Sequence, residues 1–280
     1  MIIITGANGL LGRRVVENLL RRVPATDIGV SVRDPAAAGW AAERDVRVRR
    51  GDFADPASLD YAFEDATQVL VVSVDSTGDE AVRRHRAAID AAVRSGAEHI
   101  LYTSHMGANP DSAFTPMPDH AVTETILQQA GVPFTVLRNG FYAASAAQLL
   151  GNALETGKII APQDAPVAWT AHADLAEAAA IALTDGRPLG ITPPLTGADA
   201  TDLTGVAAVV AARTGRPLER IAIPDKDYRD NLLAHGLPEH LADMFTGLFT
   251  AIRNNEFAPA TSDLAEILGR ETTPLAAALS

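Results

Sequence analysis

Thr5-Gly6-Ala7-Asn8-Gly9-Leu10-Leu11-Gly12 decides how this chain is read. It follows Met1-Ile2-Ile3-Ile4, an apolar run that reads as the end of a strand over 2–5. It precedes Val15, Val16, Leu19, Leu20 and Val23, which recur at helical spacing until Pro24 ends the run. Glycines at 6, 9 and 12 between a strand and a helix permit a tight turn, a backbone that can touch pyrophosphate oxygens, and close helix–strand packing. The helix start adds unpaired N–H groups and the positive end of a dipole, both favourable to an anion. Gly6, Ala7, Asn8, Gly9, Leu10, Leu11 and Gly12 are therefore read as a dinucleotide-phosphate loop.

Outward from that loop, short β-branched runs at 28–32, 46–50, 69–72, 100–103 and 134–137 alternate with amphipathic stretches, among them a helix over 80–95 that Gly96 stops. This alternation predicts βαβ units around a parallel sheet, an α/β fold of the doubly wound Rossmann type. After Gly140 the rhythm changes. Helices are predicted over 144–156, 173–183, 203–213, 228–235 and 239–253, with short apolar pieces at 159–161, 190–195 and 220–223. The expected organisation is a dinucleotide-binding domain over 1–140 and a smaller, mainly helical substrate-binding part over 141–280. Some segments of the latter are expected to return to the N-terminal sheet. The ligand cleft would lie outside the carboxyl ends of the strands.

The residues at those ends refine the cofactor. An acidic residue after the second strand would hold both ribose hydroxyls of NAD, but here Arg33 stands there, followed by Asp34. A guanidinium suits a 2′-phosphate and can stack on adenine, so NADP(H) is favoured over NAD(H). Asp34 leaves the ribose reading open. Asp52 and Phe53 follow the third strand, where adenine should lie. Ser73 and Val74 follow the fourth, near the ribose, and Thr103 ends the fifth on the same edge.

Composition removes whole classes of chemistry. The 280 residues carry a net charge of −12 and no cysteine, which excludes thiolate catalysis, iron–sulfur clusters, zinc ribbons and disulfides. The acidic balance argues against a nucleic-acid partner. No apolar window reaches membrane-spanning length, and residues 1–4 are too short for a signal-peptide core, so a cytoplasmic protein is expected. The only lysines are Lys158 and Lys226.

The glycine loop, Val32-Arg33-Asp34-Pro35, Gly51-Asp52-Phe53 and Leu137-Arg138-Asn139-Gly140-Phe141-Tyr142 together resemble the NmrA-like atypical short-chain dehydrogenase/reductases. The subgroup they resemble most holds type 2 NAD(P)H:quinone oxidoreductases and triphenylmethane dye reductases. Asp119-His120-Ala121-Val122-Thr123-Glu124 and the tail segments Ser262-Asp263-Leu264, Leu268-Gly269 and Thr273-Pro274-Leu275 extend the likeness over essentially the whole chain. The resemblance implies NADPH in the cleft, with Asn139, Gly140, Phe141 and Tyr142 at the nicotinamide and substrate end. It also suggests a homodimer.

The wider superfamily reduces carbonyls with a Tyr-x-x-x-Lys pair, which is missing here. Tyr61, Tyr102, Tyr142 and Tyr228 are followed four residues on by Asp65, Met106, Ala146 and Leu232. By alignment, Pro116 stands at the tyrosine position and His120 at the lysine position. What remains is direct hydride transfer to an aromatic or quinone acceptor that carries its own electron sink, with no flavin needed. Phe141 and Tyr142 would stack a flat substrate, or serve as core aromatics. His120 would protonate a quinol oxygen, with an ordinary histidine pKa, or hold the nicotinamide ribose. His120 and Glu124 share a helix face, but no third metal ligand is evident, and no metal is expected. The remaining histidines read mostly as surface or local polar contacts. The competing reading is an NADP(H)-binding redox sensor without turnover.

Overall fold

The computed structural model describes residues 1–279. Its first half alternates strand and helix: β1 (Ile2–Thr5), α1 (Leu10–Leu19), β2 (Ile28–Val32), α2 (Gly39–Ala42), β3 (Arg47–Arg50), α3 (Pro56–Ala62), β4 (Gln68–Val71), α4 (Asp79–Arg94), β5 (His99–His105), α5 (Pro116–Gln128) and β6 (Phe134–Asn139). The second half continues with β7 (Phe141–Tyr142), α6 (Ala143–Leu149), α7 (Ala153–Thr156), β8 (Lys158–Pro162), β9 (Trp169–Thr170), α8 (His172–Asp185) and β10 (Gly190–Ile191). It ends with α9 (Leu203–Thr214), β11 (Glu219–Ile223), α10 (Asp225–Ala234), α11 (Glu239–Arg253), α12 (Asp263–Leu268) and α13 (Leu275–Ala278).

Seven strands form one parallel sheet in the order β3-β2-β1-β4-β5-β6-β10. That is the doubly wound Rossmann arrangement, extended at one edge by β10, and its order reverses between β1 and β4. β1, β2 and all of β5 but its last residue are buried because helices cover both faces of the sheet. On one face Val15, Val16 and Leu19 of α1 pack with Leu175, Ala179 and Leu183 of α8 and with Leu264 of α12. On the other, Leu59 and Phe63 pack with Ala88, Ile89 and Ala92 of α4 and with Ile126 and Leu127 of α5. Thus α8 and β10 return to the N-terminal sheet.

A third cluster lies beyond the carboxyl ends of β5 and β6. Met106, Met117, Phe141, Trp169, Phe249 and Phe257 build it with α6, α9 and α11. The parallel pairs β8–β11 and β7–β9 tie this part together. The helix expected over 144–156 is two helices, broken at Gly151, whose φ of +54° is left-handed. No helix among the described residues is long and apolar enough to cross a membrane.

Candidate active site

The first site element is a cleft of about 370 Å³ at the β1/β4 reversal point. It is lined by Gly6, Asn8 and Gly9, by Ser31 and Val32 at the end of β2 with Arg33 and Asp34 beyond it, by Gly51, Asp52 and Phe53 after β3, and by Val72–Asp75 after β4. Its floor is set by backbone geometry. Gly6 takes a φ of +62° and accepts a hydrogen bond from Gly9 N–H at 2.9 Å. A Cβ on Gly12 would lie 2.5 Å from the Gly6 carbonyl oxygen, so only glycine lets α1 start this close to the turn. Gly9 caps α1 with no side-chain hydrogen bond, which leaves the first-turn N–H groups available to an anion.

Not every residue of the glycine loop faces the cleft. Ala7 and Leu11 are buried in the core beneath it, Gly12 is a packing position, and Leu10 is exposed outside the cleft lining. Asn8 donates to the Asp34 carbonyl at 2.9 Å and so ties the first loop to the second. The Asp34 carboxylate accepts from Ala36 N–H at 2.9 Å, a local turn contact. Arg33 is exposed on the cleft wall with no hydrogen-bond or ion-pair partner among the described residues. An uncommitted guanidinium fits a phosphate beyond the ribose. Thr103, buried, does not line the cleft but accepts from Ser73 N–H at 2.9 Å and so holds the β4 loop.

The segment 119–124 on α5 is the polar hub of the site. The Asp119 carboxylate accepts from Gly78 N–H at 2.6 Å, reaching across to the β4–α4 loop rather than capping its own helix. His120 Nδ1 lies 2.7 Å from the Tyr102 hydroxyl on β5. Thr123 meets His85 Nδ1 at 3.0 Å, and His85 Nε2 accepts from Val74 N–H at 3.0 Å. Glu124 accepts from Ser104 at 2.6 Å and from Arg138 at 3.0 and 2.6 Å, an ion pair of which the carboxylate is almost wholly buried. One helix face thereby fastens the ends of β4, β5 and β6.

Sequence reasoning missed Tyr102, His85 and His105. His85 repeats with Ala81, Ala88 and Ala92 along the buried face of α4, the spacing that marks an inward side chain. Burial drives His85 down to about 4 and His105 down to about 3. His120 is held well below an ordinary histidine by burial, then by His105 and His85. It is therefore neutral near pH 7, and the ordinary pKa expected for it does not apply.

These shifts have a stability consequence. A histidine lowered in the folded state stays neutral there while the unfolded chain takes up protons, so stability is complete above the unfolded value near 6.5. It falls as pH drops toward the folded value. Loss is expected to begin below about pH 6.5 and continue to about pH 4 for His85 and about pH 3 for His105, with His85 alone contributing on the order of 3 kcal/mol. Urea midpoints at about pH 7.5 and about pH 5 check this, and replacing His85 by Gln should flatten the difference.

The carboxyl end of β6 divides the remaining candidates. Asn139 is buried with its side-chain oxygen unpartnered. Gly140 is a packing glycine, since a Cβ there would meet Thr170 Oγ1 at 2.2 Å. Phe141 stands edge-on to His105, Trp169 and Phe257, with ring centroids 5.1, 5.4 and 5.0 Å away. Tyr142 instead stacks on His172 at 4.0 Å.

Phe141 also forms part of a second cavity, of about 810 Å³, with Phe114, Leu149, Tyr228, Leu232, Phe245 and Leu248. Among the described residues, no carboxylate lines it. The His105 ring lies between Phe141 and His120, 5.1 Å from the first and 6.2 Å from the second. The cavity suits a flat apolar molecule. Among the described residues, no three His, Cys, Asp or Glu side chains form a group that could hold a metal ion.

Comparison with known proteins gives the same frame. A model described as the NmrA-like family matches residues 1–275. The Escherichia coli protein named quinone oxidoreductase 2 is 34% identical over 100% of this chain and 98% of its own length. The crystal structure of an Escherichia coli NADPH-dependent quinone oxidoreductase complexed with NADPH superposes with a TM-score of 0.92 at 33% identity, covering 99% of this chain and 97% of that one. The triphenylmethane reductase of Citrobacter sp., complexed with NADP(H), gives 0.90 at 28% identity, over 100% and 99% of the two chains.

Proposed function

The chain belongs to the NmrA-like family and is an NAD(P)H-dependent oxidoreductase; we propose that it passes hydride from NADPH directly to a quinone or similar conjugated acceptor, with no flavin between them. The observation that carries this reading is the pairing of a dinucleotide cleft that holds an uncommitted arginine with an aromatic cavity, whose Phe141 ring stands 5.1 Å from His105 and, through it, near His120. Relatives named for quinone and dye reduction support it.

Gly6, Asn8, Gly9 and the open first turn of α1 would hold the pyrophosphate, and Arg33 the 2′-phosphate. Asp52 and Phe53 would border the adenine, and Ser73 and Val74 the ribose. Asn139 would accept a hydrogen bond at the nicotinamide end. NADPH, when bound, supplies a hydride. Phe114 and Phe141 pack a flat acceptor and exclude water, which is the protein's main contribution to rate through orientation. A quinone that gains a hydride becomes a hydroquinone anion, and solvent supplies its proton. His120, being neutral, keeps its own proton and donates a hydrogen bond to the oxygen where charge collects.

The carboxylate-free cavity favours a neutral quinone over a cationic dye, because nothing in it offsets the desolvation of a cation with a counter-charge. The test is NADPH consumption with a panel of neutral quinones and cationic triarylmethane dyes. Turnover with quinones, slower with the dyes, is expected. Tight NADPH binding without turnover of any acceptor would replace the reductase by a redox sensor. We place the protein in the cytoplasm, with its NADPH pool.

A further inference from the structure

Tyr102 takes no direct part in the chemistry above, and its ring is fully buried, so it cannot touch an acceptor. Its hydroxyl nevertheless sits 2.7 Å from His120 Nδ1. Which of the two atoms donates follows from the neighbouring bonds. Val74 N–H can only donate, so His85 Nε2 carries a lone pair, and a neutral His85 has its proton on Nδ1. That proton goes to Thr123 Oγ1 at 3.0 Å, while the Thr123 hydroxyl donates to the Asp119 carbonyl at 2.8 Å. His85 Nδ1, 3.5 Å from Tyr102, therefore has no lone pair to offer the phenol. Thr123 Oγ1 also stands within hydrogen-bond reach of the phenol, but it already accepts from His85 and donates to Asp119, so His120 Nδ1, at 2.7 Å, is the acceptor we assign to the Tyr102 hydroxyl proton.

We propose that Tyr102 is a positioning residue that fixes His120 in the tautomer with its proton on Nε2, the ring nitrogen turned away from β5. The inference rests on the reductase reading for its consequence, because it makes His120 a permanent neutral donor to the acceptor oxygen. Without the phenol, an uncharged imidazole divides between two tautomers, and the one protonated on Nδ1 presents a lone pair to the developing anion. The chain of contacts also runs from Val74 in the cofactor cleft through His85 and Thr123, so the tautomer is set by the same elements that shape the cleft. No proton leaves Tyr102 in this role, which agrees with the strong upward push that burial exerts on its phenol.

The tautomer is readable without turnover, by ¹⁵N–¹H correlation of the imidazoles in the full-length protein, with and without NADP⁺, assigned through His120→Gln. Nε2–H with an unprotonated Nδ1 is the expected result for His120. In Tyr102→Phe, mixed tautomers are expected, with kcat for quinone lowered about tenfold and KM for NADPH unchanged. A protonated Nδ1 in the unmodified protein would overturn the proposal, and needs no variant to be seen. So would a Tyr102→Phe protein that keeps the tautomer, whether its activity is intact or lost together with cofactor binding. Failure of the unmodified protein to reduce any quinone would count against the reductase reading and leave the tautomer assignment standing.

Discussion

Replacing His120 by Ala is expected to lower quinone reduction by about 10²–10³-fold while NADPH affinity stays nearly constant. The size is that of one preorganised donor removed from a site where negative charge develops, acting in a pocket that burial keeps at low dielectric. Because burial and the neighbouring histidines hold His120 neutral, the pH dependence of the unmodified enzyme should show no step at an ordinary histidine pKa that the variant then loses. A cationic dye separates donation from positioning. Hydride addition neutralises the dye and creates no oxyanion, so its reduction should survive His120→Ala far better than quinone reduction. Equal losses for both acceptors would leave His120 a positioning role alone. A parallel fall in NADPH affinity would place it on the nicotinamide ribose, and no loss at all would make it structural.

Arg33→Ala is expected to remove most of the preference for NADPH over NADH. The side chain stands on the cleft wall with no competing partner among the described residues, so its guanidinium is free to meet a 2′-phosphate. One charge-assisted contact of this kind contributes roughly 1.5–3 kcal/mol, a factor of about ten to a hundred or more in relative affinity. Dissociation constants for both cofactors, measured on the unmodified protein and the variant, give the answer. Equal affinities in the unmodified protein would refute the assignment. One oxygen of the Asp34 carboxylate serves the turn at Ala36.

The parts of this protein that can be read from sequence are those in which backbone chemistry demands particular residues close together. Gly6, Gly9 and Gly12 sit where a positive φ or a missing Cβ is required, and the β-branched runs 2–5, 28–32 and 69–72 predict the buried strands of a doubly wound sheet. Arg33 was legible because its place is counted from that loop. The hub on α5 was not. Tyr102, His85 and His120 come from different elements, and only the packing of α4 and α5 against β5 brings them together. Asp119 suggested a helix cap by its position, yet the nearest unsatisfied donor in space is Gly78 N–H. The aromatic cavity is equally non-local, since α10 and α11 meet Phe114 and Phe141 around it in a way that no single segment announces. Likewise, adjacent Phe141 and Tyr142 part company because successive strand residues point to opposite faces.

Direct transfer between cofactor and acceptor is the claim on which the rest depends. It is tested most directly by following NADPH deuterated at the transferring C4 position through reduction of a neutral quinone, using purified protein free of any flavin absorbance. The account predicts quinone-dependent turnover without added flavin, slowed by deuterium on one face of C4 and unaffected by deuterium on the other. Turnover that appears only when FMN or FAD is added would contradict it.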